Sequence, residues 1–337
     1  LNQLIFIGSV LSFLGWLAIF LLNGKALIPL AFLFGNFAAS IFSLASVVVT
    51  TTYPKELWDK YIAQMQAFMT LGTSVGLLVT ALYAKVAIGL PFLFIAIVAY
   101  LPLFKHHKTT VVHQPLHFSL LHPKMHFSEM FTAYFHVHLR KAHLFNFKNK
   151  KLLFLDIRWL IALLAPAPVY AMYPLLMKKV FMVSTSEPSV VYSISTAIGI
   201  FIFILAGKIS KKKSAGFTFN SGITLYLISF VFMLAGIYSQ LYFLGIIGFV
   251  VMILSWSFIS TGMNIGVVEI AEESKRGEAL GIANSLQSID NVIGGAAGGF
   301  IVNAMGYPVV LIFGFMFSGI ALILRIFKKS NHKNIHP

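Results

Sequence analysis

Asp290 stands in a run of apolar and small residues, Leu280–Ala304, with Asn284, Gln287 and Asn291 beside it in sequence. On a helix turning about 100° per residue, these four side chains share one arc of about 120°. Gly294, Gly295 and Gly298 fall on the same side, leaving bare backbone toward the far end of the helix. A charge at mid-span is costly in hydrocarbon, so its place is against protein or a water-filled cavity, and its default reading is functional. As a titratable group it would link proton binding to conformation, with Gln287 and Asn291 able to hydrogen-bond either form. As a fixed group it would pair with a cation or close a structural hydrogen bond. Both roles stay open at the level of sequence.

Other polar residues at membrane depth offer contacts rather than reactive chemistry. Leu155–Met177 carries Pro166, Pro168 and Pro174 close to Tyr170 and Tyr173. Proline removes backbone hydrogen bonds and bends a helix, and interrupted helices are where transporters place substrate contacts. A plain structural kink is the alternative. The next run adds Tyr192, Ser193, Ser195 and Thr196, whose hydroxyls are equally able to bond their own helix. Asn264, deep in Leu241–Val268, is a ligand candidate or interhelical glue. Glu269 and Arg276 flank a charged turn at the membrane edge, where a charge pair can hold one conformation and break in another.

The elements that would position these residues are helices in a bilayer. The chain has 337 residues, 58% hydrophobic and only 10% charged, with a mean hydropathy of +0.86. Soluble domains carry about 25% charged residues. Runs of roughly 20 apolar residues mark spanning helices. Ten such runs are expected: Leu4–Leu22, Ala26–Thr50, Met65–Tyr83, Val86–Phe104, Leu155–Met177, Val190–Ala206, Gly222–Tyr238, Leu241–Val268, Leu280–Ala304 and Pro308–Phe327. They are too long and too uniformly apolar for a barrel, so the expected class is an all-α integral membrane protein. No deep basic residue and no second deep carboxylate is expected in these spans. The absence of cysteine excludes disulfides and thiolate metal sites.

Placing Leu1 on the cytoplasmic side assigns 21 of the 25 lysines and arginines to inside segments, Arg158 among them. That asymmetry puts both ends in the cytoplasm. It also accounts for the net charge of +15 without nucleic acid as a partner. Sliding the chain along itself by 218 residues lays Leu1–Leu22 on Phe219–Gln240, Gly76 on Gly294, and the turn Tyr53–Lys60 on Ala271–Glu278. Six spans separate the copies, so the repeat is parallel, about an axis along the membrane normal. The spans Leu155–Met177 and Val190–Ala206 have no counterpart in the first copy, so two helices are expected to be missing ahead of Leu1.

Three regions follow: a four-span bundle over 1–104, a basic loop over 105–151, and a six-helix bundle over 152–337. The loop holds nine of the eleven histidines, including His113/His117 and His122/His126. Such spacing on a helix can chelate a metal, but Pro115 and Pro123 interrupt both pairs, so no metal is assigned. Its second part, Phe127–His143, is amphipathic and suited to lie along the inner leaflet.

Several segments carry a family resemblance. Gly207-Lys208-Ile209-Ser210-Lys211-Lys212-Lys213 resembles the cytoplasmic G-x-L-a-D-r loop of the major facilitator superfamily, with Lys211 at the acidic position. Glu269 and Arg276 match the E-x6-R spacing of its sugar-porter branch. Arg276-Gly277-Glu278-Ala279-Leu280-Gly281 is similar to the start of the family's eleventh helix. The run Asp290-x-x-x-Gly294-Gly295-x-x-Gly298-Gly299 resembles the antiporter motif g-x-x-x-G-P-x-x-G-G, with Gly295 in place of proline and in a different helix from the family's fifth. The fifth-helix equivalent, Gly72-x-x-x-Gly76-Leu77, also lacks the proline. The resemblance implies a two-bundle fold of twelve helices, ten of them present here.

It further implies a secondary transporter working by alternating access, with a small-molecule substrate, protons as the coupling ion, no cofactor, a plasma-membrane location and a monomeric state. No nucleotide-binding G-x-x-x-x-G-K-[ST] loop is present, and no nucleophile–base or metal-ligand set converges in the spans, so an enzyme is not expected. The expected direction is proton-coupled efflux of a small organic molecule. Symport of a sugar or organic acid, and a transport-dead regulatory or binding protein, are the alternatives. Asp290 is the expected coupling group. Asn264, Asn284, Gln287, Asn291, Tyr170, Tyr173 and Tyr192 are the expected substrate contacts, and Glu269 with Arg276 the conformational latch.

Overall fold

The computed structural model describes Leu14 and residues 49–50, 53–83, 149–184 and 187–331. Eight helices occur among the described residues: α1 (Trp58–Tyr83), α2 (Lys150–Leu164), α3 (Ala167–Val180), α4 (Glu187–Lys212), α5 (Ala215–Ser239), α6 (Tyr242–Ile270), α7 (Arg276–Met305) and α8 (Tyr307–Asn331). Short 3₁₀ turns, Lys55–Leu57 and Glu273–Lys275, lead into α1 and α7. Apart from Leu14, the span expected at Leu4–Leu22 lies outside the described residues, as do Val86–Phe104, nearly all of Ala26–Thr50, the His-rich loop and the interfacial segment Phe127–His143.

Local chemistry sets the helix ends. The Asn149 side chain caps α2, accepting from the backbone N–H groups of Lys151 (3.0 Å) and Leu152 (3.2 Å). Ser214 caps α5 in the same manner, which offsets the unpaired donors of a first turn. Gln240 closes α5 in the left-handed region, and Leu241 N–H then reaches back to Gly236 O at 3.1 Å. Gly306 (φ 87°) joins α7 to α8, a conformation open to glycine without penalty. The proline-rich span is interrupted as expected. α2 ends at Leu164, Pro166 occupies the cap of α3, and the run Lys150–Val180 crosses as two helices in series.

Five helical segments among the described residues are long and apolar enough to span a membrane. At 30 residues, α7 is long enough as well. Its polar arc and glycines make it less apolar, while Val292, Ile293 and Phe300 stay exposed on its other side. Large apolar side chains are exposed along the other helices too, Phe201, Leu205, Val231 and Met316 among them, the surface a lipid-facing bundle requires.

α5 and α6 form the tightest seam. Four close approaches run through glycines: Gly222 against Ile259, Gly236 against Gly245, Gly248 against Ser229 and Met233, and Gly262 against Phe219. A Cβ on Gly262 would sit 2.8 Å from Ala215 O. Small residues at regular spacing let backbones approach where lipid offers no hydrophobic drive to helix association. Around this hairpin, α8 packs on α5 and α2, and α7 packs on α3 and α2. α1 lies along α4 with a lighter contact to α6. Trp159, Phe219, Phe230, Phe249 and Met252 fill the interior.

Two charged residues correct the expectation of spans free of a second deep charge. α2 begins five residues ahead of Leu155, so Asp156 and Arg158 fall inside a helix and are buried, at 0% and 6% exposure. Arg158 Nη2 donates to Asn220 Oδ1 at 2.6 Å and its Nε to Ala321 O at 3.1 Å, with the Phe219 ring 5.1 Å away. It therefore ties α2, α5 and α8 together instead of standing in a cytoplasmic turn.

The repeat is visible in the helix starts. A shift of 218 carries the 3₁₀ turn Lys55–Leu57 onto Glu273–Lys275 and the first residue of α1, Trp58, onto the first of α7, Arg276. The glycine seam yields a direct test. Gly262→Leu is expected to force α5 from α6 and lower stability by about 1–3 kcal/mol, read as a lower melting temperature in detergent. Gly216→Ala, where a Cβ meets nothing within 4 Å, is expected to melt like the parent.

Candidate substrate cavity

A cavity of about 260 Å³ lies between α1 and the bundle formed by α2–α7. α7 contributes Gln287, Asp290 and Asn291, and the break between α2 and α3 contributes Leu163, Pro166, Ala167 and Tyr170. α4 supplies Tyr192, Thr196, Gly199 and Phe203, and α6 supplies Ile253, Trp256 and Ser257. Thr70 and Thr73 face it from α1. The α2–α3 positions lie at the break within the run Lys150–Val180, the kind of interrupted helix at which transporters place their binding sites.

Backbone packing puts Asp290 there. Beyond it on α7, Gly294 meets Ala167 and Gly298 meets Pro168, where a Cβ on Gly298 would lie 2.9 Å from Pro168 O. The bare side of α7 thus seats the proline break of α3. The carboxylate one turn before Gly294 is left at the cavity wall, 1% exposed, with Oδ1 lacking a hydrogen-bond partner among the described residues. Tyr170 and Tyr192 stand opposite as nearly parallel rings, 6.2 Å between centroids and 13° between planes. Trp256 is held by Trp159, whose ring stacks on it at 5.7 Å while its Nε1 donates to Ala283 O at 2.9 Å.

Of the seven expected substrate contacts, four line this cavity: Gln287, Asn291, Tyr170 and Tyr192. Three do not. Asn264 Nδ2 donates to Ser260 O of its own helix at 2.8 Å. Tyr173 is buried flat against Phe249, with centroids 3.5 Å apart. Asn284 lies two turns back along α7, off the wall. Thr70, Thr73, Trp256 and Ser257 went unrecognised as site residues. A signal for one was present, since the 218-residue shift carries Thr73 onto Asn291, and the two now face the same space.

α1 is fastened on both sides of the cavity. At the level of Ser74, that hydroxyl donates to Ser193 O at 2.8 Å, and Ser193 Oγ returns a 2.8 Å bond to Ser74 O. Toward the charged turns, Gly207 of α4 seats Ala63 and the Asp59 carbonyl, and Gln66 Nε2 reaches Ser260 O at 3.4 Å.

At the very end of α1, the Arg276 guanidinium lies over the Trp58 ring, 4.4 Å from its centroid. The Trp58 indole is oriented by donating to Tyr53 O at 2.9 Å. The expected ion pair between Glu269 and Arg276 is not formed. The 3₁₀ turn instead presents Glu273 to Arg276 at 3.7 Å, and Glu269 is exposed at the end of α6. The pair Lys275–Glu272 is exposed on both sides, and such pairs contribute little.

A cation–π contact of this kind is worth about 0.5–2 kcal/mol, a few-fold to about thirty-fold in a conformational equilibrium. Arg276→Ala and Trp58→Ala are each expected to shift labelling of a cysteine at Thr73 from one membrane face to the other, with the double variant close to either single. Lys275→Ala is expected to leave labelling unchanged.

Comparison with known proteins agrees with this architecture. No curated protein matches the chain in sequence. Among solved structures, a bacterial homologue of the iron transporter ferroportin in an outward-facing state is similar over 98% of this chain and 83% of its own, at a TM-score of 0.66 and 12% identity. The human organic anion transporter MFSD10 (TETRAN) covers 96% and 76%, with a TM-score of 0.71 and 14% identity. The proton:xylose symporter XylE bound to 6-bromo-6-deoxy-D-glucose covers 96% and 78%, with a TM-score of 0.63 and 14% identity. Identities this low speak for the fold alone. The sequence model of the Major Facilitator Superfamily matches residues 2–264 and 160–337. The chain is therefore a multi-pass membrane protein, not an enzyme, and belongs to the major facilitator superfamily of transporters.

Proposed function

We propose that this chain exports a small organic molecule in exchange for protons, by alternating access about the cavity between α1 and the bundle, with Asp290 as the proton-carrying group. The observation that supports the reading is the carboxylate itself. It is 1% exposed and lines a mid-span cavity that two fastenings of α1 bracket. Tyr170, Tyr192 and the buried Tyr226 are the titratable neighbours that interact with one another or with it, and Gln287 and Asn291 share its wall. A group in that position exchanges protons with whichever side the cavity faces, and substrate occupancy then biases the equilibrium through differential binding.

In this reading the Arg276–Trp58 contact closes the cytoplasmic side, and the reciprocal serines act as the pivot. The latch role expected of Glu269 and Arg276 passes to Arg276 and Trp58. Gln287, Asn291, Tyr170 and Tyr192 contact substrate, while Tyr173, Asn264 and Asn284 support the walls. The charge asymmetry supports a plasma-membrane orientation with both ends cytoplasmic, and the chain acts as a monomer divided at 1–104, 105–151 and 152–337. Uptake by symport is the second reading. It is favoured by the neutral amides of Gln287 and Asn291 in the same wall and by the missing proline in the Asp290–Gly299 run.

Asp290→Asn separates binding from coupling. In proteoliposomes the variant is expected to keep substrate exchange across the membrane, while accumulation driven by an imposed pH gradient falls about tenfold or more, a change of at least about 1.4 kcal/mol in driving force delivered to substrate. A variant that accumulates substrate like the parent removes Asp290 from the coupling role.

A further inference from the structure

The direction of the cavity's hydrogen bonds carries information about what it holds. A hydroxyl has one proton to give, and four hydroxyls on the wall have already given theirs to backbone. Thr70 Oγ1 donates to Gln66 O at 2.8 Å, and Thr73 Oγ1 to Met69 O at 3.2 Å. Thr196 Oγ1 donates to Tyr192 O at 3.0 Å and Ser193 O at 2.9 Å, and Ser257 Oγ to Gly199 O at 3.4 Å. Each offers the cavity only lone pairs. Asp290 adds a carboxylate whose Oδ1 is buried and without a partner among the described residues, and an ionised carboxylate is acceptor only.

Charge points the same way. No lysine, arginine or histidine occurs within Leu4–Leu22, Ala26–Thr50, Met65–Tyr83 or Val86–Phe104. Among the described residues the buried cation is Arg158, engaged with Asn220 and the Ala321 carbonyl, and it does not line the cavity. An anionic substrate would bring a second negative charge beside Asp290, and no lysine, arginine or histidine among the described lining residues would offset it. A polyol would find partners for its hydroxyl protons, but for its oxygens, among the described lining residues, the amides of Gln287 and Asn291, the Trp256 indole and the Tyr192 hydroxyl. The faces of Tyr170, Tyr192 and Trp256 attract a cation through their ring quadrupoles.

We propose that the cavity is a cage for an organic ammonium ion, a primary or secondary amine carried as its cation on an apolar or aryl skeleton. The N–H donors meet the threonine and serine lone pairs, the charge meets Asp290, and the skeleton lies among the aromatic rings. The cavity holds about nine waters by liquid volume, the size of a small aryl-alkyl amine. This assignment rests on reading the cavity as the substrate site, and it makes cation and proton competitors for one carboxylate.

The test uses four probes on one skeleton: 2-phenylethylamine, its N-trimethylated quaternary analogue, 2-phenylethanol and 3-phenylpropanoate, each titrated against the purified full chain. The amine is expected to bind at least about tenfold tighter than the alcohol and the quaternary ion, and the carboxylate not at all. In Asp290→Asn, the preference for amine over alcohol is expected to collapse to about twofold or less. Equal or tighter binding of the alcohol or carboxylate, or binding by none of the four, overturns the cage.

Proteoliposome flux separates the two readings. A neutral or anionic probe moved by the pH gradient overturns the ammonium assignment and leaves proton coupling standing. An amine that binds in the stated order without moving protons does the reverse.

Discussion

The constraint on which the rest depends is the presence of one carboxylate at mid-depth in an apolar helix. Removing a charge from water costs several kcal/mol even after relaxation, so the helix that bears Asp290 cannot turn that side to lipid. The polar arc of α7 therefore faces inward, and its glycines admit α3 at backbone distance through Gly294 and Gly298. The proline break at 165–166 is what α7 docks against, and the same break opens space beside the carboxylate. Packing and the placement of the carboxylate are not separable here, because the residues that seat the helix also set the position of the charge.

Two kinds of contact divide the molecule. Within the bundle, the α5–α6 seam is built of glycine against backbone and admits no sliding without collision. Between α1 and its neighbours, packing along α4 through Gly207 is joined by polar and cation–π contacts, the Ser74–Ser193 pair and the Arg276–Trp58 stack. A rigid body held to another at two bracketing points can rock if one releases while the other holds, which is the hinge behaviour domain motions rely on. Trp58 and Arg276 occupy equivalent places in the two repeats, so this contact joins matching ends of the two halves.

Much of this was legible in the sequence for identifiable reasons. Five of the expected spans, from Leu155–Met177 through Leu241–Val268 and Pro308–Phe327, followed from apolar length, and the cavity-facing side of α7 followed from the spacing of Gln287, Asp290 and Asn291. Misreadings arose where polar residues are satisfied by partners remote in sequence or close along their own helix. Lys150 and Lys151 put the start of α2 in the loop, and Arg158 was counted with the cytoplasmic charges, yet it is buried and satisfied by Asn220 on α5 and Ala321 on α8. Asn264, read as a ligand candidate or interhelical glue, donates from Nδ2 to its own helix and lies off the cavity wall. Arg276 was matched to Glu269 by spacing, whereas its position as the first residue of α7 brings it onto Trp58. Thr70, Thr73, Trp256 and Ser257 carry no motif, and only the repeat, through Asn291, pointed to Thr73.

The account centres on one carboxylate serving proton and substrate in turn, and counting protons tests it most directly. Calorimetry of 2-phenylethylamine binding to the purified chain, repeated in buffers of different ionisation enthalpy, yields the number of protons exchanged on binding. The account predicts release of up to about one proton per amine bound by the parent, by linkage at a shared site, and none by Asp290→Asn. Binding by the parent with no proton released at any pH would contradict it.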